Sequence, residues 1–436
     1  MRAKFLKNTI WLITGHIVQM VMQFVVGVLT TRFLGPTNYG TINYVASYIS
    51  FFMPICELGM GAVMIKELIA DREHEGQIIA TGFLLRFSVS LISVAAVCVL
   101  AFFVDSNDKT IFYIAVIEAV KMPFTAFNTV NYWLQSKLES KYTTIITTGA
   151  YFCTAAYKVF LLAANKNIYW FAASNTVEGI ILALLFWLIY IKRKDRCHTL
   201  RYSKDIAGRL LKAGRPFIMA NLMIQICQQT DKIMLKQMLD STEEVGLYTA
   251  VTTICIMFGF VSTAILDSAR PVIMGLKNTD EDMYQIRIRQ LFAALIWLNI
   301  LYALGITFLS RQVIHILYGE QYNAANICLK ICVWYTVFSY LGGAKSLWLI
   351  CEGKNNRVFS FTAFGALANV IMNFIFIPHI GLNGAAVATL LTQIISNLGL
   401  PFLFHDMRSY TSAVIDAITF KNIRIKIFHF WKALLR

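Results

Sequence analysis

Charge is scarce in this 436-residue chain: Asp, Glu, Lys and Arg together make up 14% of it, and the 24 acidic residues fall well short of the 39 basic ones. A soluble domain carries roughly a quarter of its residues as charges, so a surface wholly exposed to water is excluded. Long polar stretches are missing as well, which leaves no room for a separate soluble domain. The nine cysteines contain no CxxC pair, and Cys56, Cys98, Cys153, Cys227, Cys255, Cys328 and Cys332 all fall inside apolar stretches. That placement speaks against a metal or disulfide framework and for small buried hydrophobes. A phosphate-binding loop and a nucleophile paired with a base are absent too.

What is present is apolar: 57% of residues are hydrophobic and 14% aromatic, with a mean hydropathy of +0.60. A helix needs about 20 apolar residues to cross a bilayer. Twelve stretches qualify, at residues 8–33, 39–65, 78–104, 110–134, 143–164, 168–191, 213–236, 246–275, 287–309, 324–350, 357–377 and 382–404. The apolar run behind Met1-Arg2-Ala3-Lys4 continues to Phe33 without a small-residue cleavage site and reads as the first span, not as a signal peptide. The expected fold is all-α, a polytopic membrane protein of twelve transmembrane helices.

Lys and Arg divide between alternate loops in a ratio of 26 to 5, which places both termini in the cytoplasm. This bias accounts for most of the net charge of +15 without a nucleic-acid partner. The basic segment from Lys192 to Lys212 reads first as a topology signal and second as a contact for anionic lipid. The tail from Ile418 to Arg436 mixes basic and apolar residues and reads as a short helix on the cytoplasmic membrane surface.

Internal echoes divide the spans six and six. The turn from Arg32 to Gly40 returns about 205 residues later as Lys236-Gln237-Met238-Leu239 followed by Val245-Gly246-Leu247-Tyr248, and Trp133-Leu134 returns as Trp348-Leu349. The expected lobes are residues 1–200 and 201–404, with residues 405–436 as a basic amphipathic tail. Transporters built from related halves keep the substrate site between them.

Seven cations and five anions lie within the spans: Arg86, Lys121, Lys158, Lys232, Arg270, Lys330 and Lys345 with Glu57, Glu118, Glu178, Asp231 and Asp267. Facing lipid, each would cost roughly 2.5 to 3.5 kcal/mol, and all twelve on the order of 30 kcal/mol. They must face water or each other. Glu118 with Lys121, and Asp267 with Arg270, stand three residues apart and are expected pairs. Asp231 lies off the stripe of Asn221, Gln225, Gln228 and Lys232 and points at a neighbouring helix, Pro123 marks a kink, and Lys345 falls off the polar face of its own helix. A surplus of positive charge in a wet cavity suits an anionic ligand, whose phosphate oxygens Arg can grip in bidentate fashion. The candidate substrate-binding residues on this ground are Arg86, Lys121, Lys232, Arg270 and Lys345.

The stretch from Arg32 to Gly40, Leu58-Gly59-Met60, Asp231-Lys232 ahead of Val245-Gly246-Leu247-Tyr248, and Gly381-Leu382-Asn383-Gly384-Ala385-Ala386-Val387-Ala388-Thr389 resemble the polysaccharide-transporter branch of the MATE-like flippase superfamily (MOP superfamily). Its members include the Wzx-type O-antigen and capsule-unit flippases, and the resemblance extends to about Phe404. It implies translocation of an undecaprenyl-pyrophosphate-linked oligosaccharide from the cytoplasmic to the periplasmic leaflet of a bacterial inner membrane. The lobes would rock about a central cationic cavity, with a polymerase and a chain-length regulator of the same pathway as partners, no cofactor and no enzymatic step. Arg32 and Asp231 join the candidate site as members of the motifs. A proton or sodium gradient would drive the rocking, with Glu57 or Glu118, both deep in their spans, as the carboxylate that binds the ion; Asp231 and Asp267 complete the set of coupling or structural charges.

Two other classes share some of these features. A drug or cation antiporter of the same superfamily would have the same lobes, but its site should favour acidic residues, whereas the charges here are net basic. A membrane polymerase or ligase of the pathway would carry a long outward loop with catalytic groups. The longest outward loop here is residues 309–324, and its Arg311, His315, Tyr318 and Glu320 form no recognisable constellation.

Overall fold

A computed structural model describes residues 2–106, 108–193 and 200–419, with side chains from Gln19 onward apart from Asn355. Each expected span is helical, although residues 39–65 are divided at Leu58–Gly59 and residues 324–350 at Val333–Trp334. The first two share α1 (Arg2–Glu57) and are separated at Gly35, whose φ of 72° and ψ of 169° suit glycine. Pro36 follows, where its missing N–H has least effect. Leu58 and Gly59, with φ of 52° and 61°, end α1 and turn the chain into α2 (Met60–Ala70).

The chain continues as α3 (Glu75–Val104), α4 (Lys109–Ser136), α5 (Ser140–Ala163), α6 (Ile168–Arg193) and α7 (Lys204–Leu239). Then come α8 (Thr242–Thr279), α9 (Glu281–Tyr318), α10 (Glu320–Cys332), α11 (Tyr335–Cys351), α12 (Asn355–Ile380), α13 (Leu382–Phe402) and α14 (Arg408–Thr419). Among the described residues, nine helical runs are long and apolar enough to cross a membrane, and α10 with α11, bent by 44°, makes a tenth. The run Gln19–Ala70 is counted once although Gly35 breaks it. The remaining expected span lies in α7, which is 36 residues long but rich in polar groups.

The chain forms two compact units, one ending at Gln229 and the other starting at Thr230. This division falls inside α7 and not at the join expected after residue 200, because the first part of α7 packs within the first unit. Gly214 passes so close to Leu58 and Gly59 that a Cβ on either glycine would strike the other segment's backbone, and Arg209 reaches Glu67 at 3.5 Å. Trp133, Phe186, Tyr190, Met60 and Met64 belong to the core of this unit.

Helix ends recur from unit to unit. Leu138 and Gly353, each five residues beyond a tryptophan that is 1% exposed, have φ of 55° and 68°. The next residue closes the same turn in both: Glu139 N–H donates to Leu134 O at 2.9 Å, and Lys354 N–H to Leu349 O at 2.8 Å. Asn165 and Gly381 also share a positive φ, as do Gly35 and Asp240. The polarity of the corner is reversed between them. A lysine stands over the tryptophan ring in both, Lys137 at 4.5 Å from Trp133 and Lys354 at 5.0 Å from Trp348. Lys137, however, bridges Glu75, which also accepts from Trp133 Nε1 at 2.9 Å, whereas the residue after the second tryptophan's helix is the acid Glu352, bridged by Lys277 at 2.8 Å.

Of the expected tail, residues 420–436 lie outside the described residues. The part before them, α14, is packed against α9: Tyr410 and Val414 are buried, and Trp297 Nε1 donates to Ala417 O at 3.2 Å.

Candidate functional site

The second unit gathers polar groups from four helices around one carboxylate. Asp231, on α7, is 4% exposed. Tyr248 on α8 donates its hydroxyl to Asp231 Oδ2 at 2.5 Å, and Thr389 on α13 donates to the same oxygen at 2.8 Å. Asn373 on α12 donates Nδ2 to Asp231 Oδ1 at 2.5 Å and to Asn369 Oδ1 at 3.1 Å. Asn369 and Asn373 are buried, and Asn373 Oδ1 has no hydrogen-bond partner. The direction expected for Asp231, toward neighbouring helices, is the one found.

Three neutral donors hold this carboxylate, and the charge of the adjacent Lys232 acts on it electrostatically. A carboxylate set among hydroxyl and amide groups from neighbouring helices is the chemistry that a proton or a small hard cation requires. Among the described residues no group of three or more His, Cys, Asp and Glu stands ready for a metal ion. Lys232, the next residue, is half-buried.

In the first unit the charges largely pair. Glu118 on α4 is fully buried, accepts from Asn175 Nδ2 at 3.0 Å and meets Lys121 Nζ at 3.4 Å, as the three-residue spacing requires. Lys158 on α5 and Glu178 on α6 act on the same pair electrostatically, so two cations balance two anions. Arg86 on α3 is different. It is 0% exposed, its guanidinium nitrogens have no hydrogen-bond partner, and its carbon lies 5.4 Å from the Tyr132 ring centroid. Glu57, at the end of α1, is half-buried and acts on Tyr132 together with Arg86.

The other sequence candidates lie elsewhere. Arg270 and Asp267 form the expected pair at 3.7 Å, with side chains 57% and 60% exposed. Arg32 is exposed near the end of the first span. Lys345 is buried on α11 and donates to Ser396 O at 2.7 Å and Asn397 Oδ1 at 2.8 Å, with the Phe361 ring 4.6 Å away. Ser396 and Asn397 belong to a π-turn in α13, Ile395–Gly399. Such a turn disturbs the regular helix ladder, and the ammonium satisfies a carbonyl of it. Lys345 thus has a structural reason to be where it is. Asn369 and Asn373 escaped the sequence reading, whereas Tyr248 and Thr389 close two of the motif stretches that meet at the cage.

Apolar spans that bury paired charges, together with a caged carboxylate deep in one unit, define a polytopic membrane protein. Solved structures with the same fold include an inward-facing multidrug resistance MATE family transporter of the MOP superfamily, at TM-score 0.70 and 15% identity over 91% of this chain and 96% of that one. The lipid II flippase MurJ in an inward closed conformation matches at TM-score 0.70 and 15% identity, over 95% and 91%. The chain belongs to the polysaccharide biosynthesis protein family, whose model matches residues 5–276. A MatE model matches residues 216–375. The chain is 19% identical over 403 residues to the capsular polysaccharide biosynthesis protein CapF of Staphylococcus aureus, across 89% of this chain and 96% of that one. A shorter match, 27% over 165 residues, joins 36% of it to 34% of the probable flippase AglR of Haloferax volcanii.

Proposed function

We propose that the chain is a flippase that moves an undecaprenyl-pyrophosphate-linked oligosaccharide across the bacterial inner membrane, powered by a proton or sodium ion that binds at Asp231. The observation that carries the coupling is the cage of Tyr248, Thr389 and Asn373 around that carboxylate. A conformational cycle is driven only by a ligand whose affinity differs between its states. A carboxylate fixed by donors from three other helices meets this condition, because any shift of α12 or α13 against α7 dismantles its shell. This reading places Asp231 ahead of Glu118, which already has Lys121 as its counter-ion, and leaves Glu57 as the other candidate for the coupling carboxylate.

The cargo class rests on the family and on the names of CapF and AglR. Arg86 and Lys232 are the cations offered to the pyrophosphate, with the units opening alternately to either side. Glycan assembly would precede this step and polymerisation follow it, which makes a polymerase and a chain-length regulator natural partners. The MatE match over residues 216–375 favours an organic-cation antiporter as the second reading.

Vesicles containing the purified protein and a fluorescent undecaprenyl-pyrophosphate oligosaccharide discriminate between them. Lipid movement that follows an imposed proton or sodium gradient is expected, and Asp231→Asn, which preserves shape but not charge, should lower the gradient-driven component at least tenfold. Gradient-driven movement unchanged in Asp231→Asn would remove the cage from the mechanism. Ethidium extrusion by wild-type vesicles that leave the lipid in place would establish the antiporter instead.

A further inference from the structure

The first unit carries a groove on its flank that the Asp231 cage and the charge clusters do not use. It has a volume of about 510 Å³ and runs between α3, α4 and α6. Phe83, Phe127 and Trp187 line it in an edge-to-face run, with centroids 4.9 and 6.1 Å apart. The groove opens sideways, because Leu84, Leu184, Trp187 and Leu200 on its rim are between 41% and 56% exposed.

One end of this groove is basic. Leu200, which lines it, begins the segment that leads into α7, and Ser203 N–H donates to the buried Thr81 Oγ1 of α3 at 3.0 Å. This bond straps the segment across the start of α3, with Arg201 and Lys204 exposed on it against a single acid, Asp205. Lys192 is exposed at the end of α6, two residues beyond the lining Tyr190. Arg193 beside it is engaged by Glu139. An apolar trough that ends under two or three exposed cations matches an amphiphile with one anionic headgroup. A trough of about 510 Å³, apolar along its length and open at its side, has room for one acyl chain laid against its aromatic rings.

We propose that this groove is a binding site for an anionic glycerophospholipid, with one acyl chain against Phe83, Phe127 and Trp187 and the phosphate at Lys192 and Arg201. The site is separate from cargo and coupling ion, so it stands or falls independently of the flippase reading. Its effect is to hold residues 200–203 on α3, which makes the folded first unit responsive to the lipid composition of its own leaflet.

Trp187 is itself the reporter. Full-length protein in detergent, stripped of lipid, is titrated with phosphatidylglycerol or phosphatidylcholine brominated on the acyl chain, and a Trp187→Phe protein supplies the difference that isolates this tryptophan. Saturable quenching of Trp187 by the brominated phosphatidylglycerol is expected, at least fivefold tighter than by the phosphatidylcholine. The exposed pair Lys192→Glu with Arg201→Glu should abolish that preference without disturbing the core, and Ala80→Phe, which narrows the trough, should abolish the quenching itself. Equal, unsaturable quenching by both lipids would reduce the groove to ordinary lipid-facing surface and overturn the proposal. Displacement of brominated phosphatidylglycerol by micromolar undecaprenyl phosphate, but not by unlabelled phosphatidylglycerol, would overturn it in favour of the cargo.

Discussion

Arg86 is held in the first unit at an energetic disadvantage. Contact with the Tyr132 ring is worth up to about 2 kcal/mol when desolvated, whereas burying a guanidinium with no hydrogen-bond partner costs several kcal/mol. An apolar side chain of similar length removes that desolvation cost. Arg86→Met should therefore leave the unfolding temperature of the purified protein unchanged or raise it, while abolishing transport of the lipid-linked glycan. A fall of several degrees would mean that the guanidinium is already compensated where it lies, and normal transport would free it from the cargo. The depth of Arg86 was legible in the sequence because a charge amid apolar residues is conspicuous. The same criterion singled out Lys345, which instead ties down a π-turn. Depth identifies residues that need a partner, not what the partner is. Glu118 with Lys121 was legible because three residues on one helix suffice to bring the groups together. Asp231 with Asn373 was not, since 142 residues separate them and the period of a single helix says nothing about which distant face comes to meet it.

At the scale of elements, apolar periodicity locates the helices and misses their interruptions. α3, α5 and α6 lie close to their expected ranges, because a continuous apolar run has one stable form in a bilayer. Pro123 does mark a departure, since the helix passes into a 3₁₀ turn at Thr125–Phe127, but nothing in the local pattern announces the π-turn or the 44° bend between α10 and α11. The crossing of α7 over the end of α1 depends on glycine at both sides. Gly214→Val would drive a branched side chain into the Leu58 carbonyl, which can move only with the backbone. Overpacking of this kind costs about 1 to 3 kcal/mol, so the variant should melt several degrees below wild type. Gly208→Ala is the control on the same helix: a Cβ there meets nothing within 4 Å, and the gain in helix propensity is at most about 1 kcal/mol. Should Gly214→Val melt with wild type, the close passage is not a constraint on the fold.

At the scale of the whole molecule, the two units carry the same corner with opposite polarity, and every such corner joins loops that the 26 to 5 distribution of Lys and Arg assigns to the cytoplasm. Glu75 with Lys137, Glu139 with Arg193, Glu67 with Arg209, Lys277 with Glu352, and Arg357 with Asp406 are all pairs of this kind. Trp133 and Trp348, each 1% exposed, lie beside the Glu75–Lys137 and Lys277–Glu352 pairs. Reversal of the pair between units shows that local geometry accepts either sign, so orientation must come from the surplus of basic residues on these loops and not from the corners. Membrane-impermeant maleimide tests that in whole cells, in a protein freed of its native cysteines. Lys166→Cys, on the turn between α5 and α6, should react at least tenfold faster than Arg72→Cys, on the turn between α2 and α3, and both should react after permeabilisation. The opposite order would place the basic loops outside and detach the charge bias from topology. If the order holds, substituting acidic residues for the basic ones from Lys192 to Lys212 should increase labelling of Arg72→Cys in intact cells, whereas exchanging Lys277 with Glu352 should leave the pattern as it is.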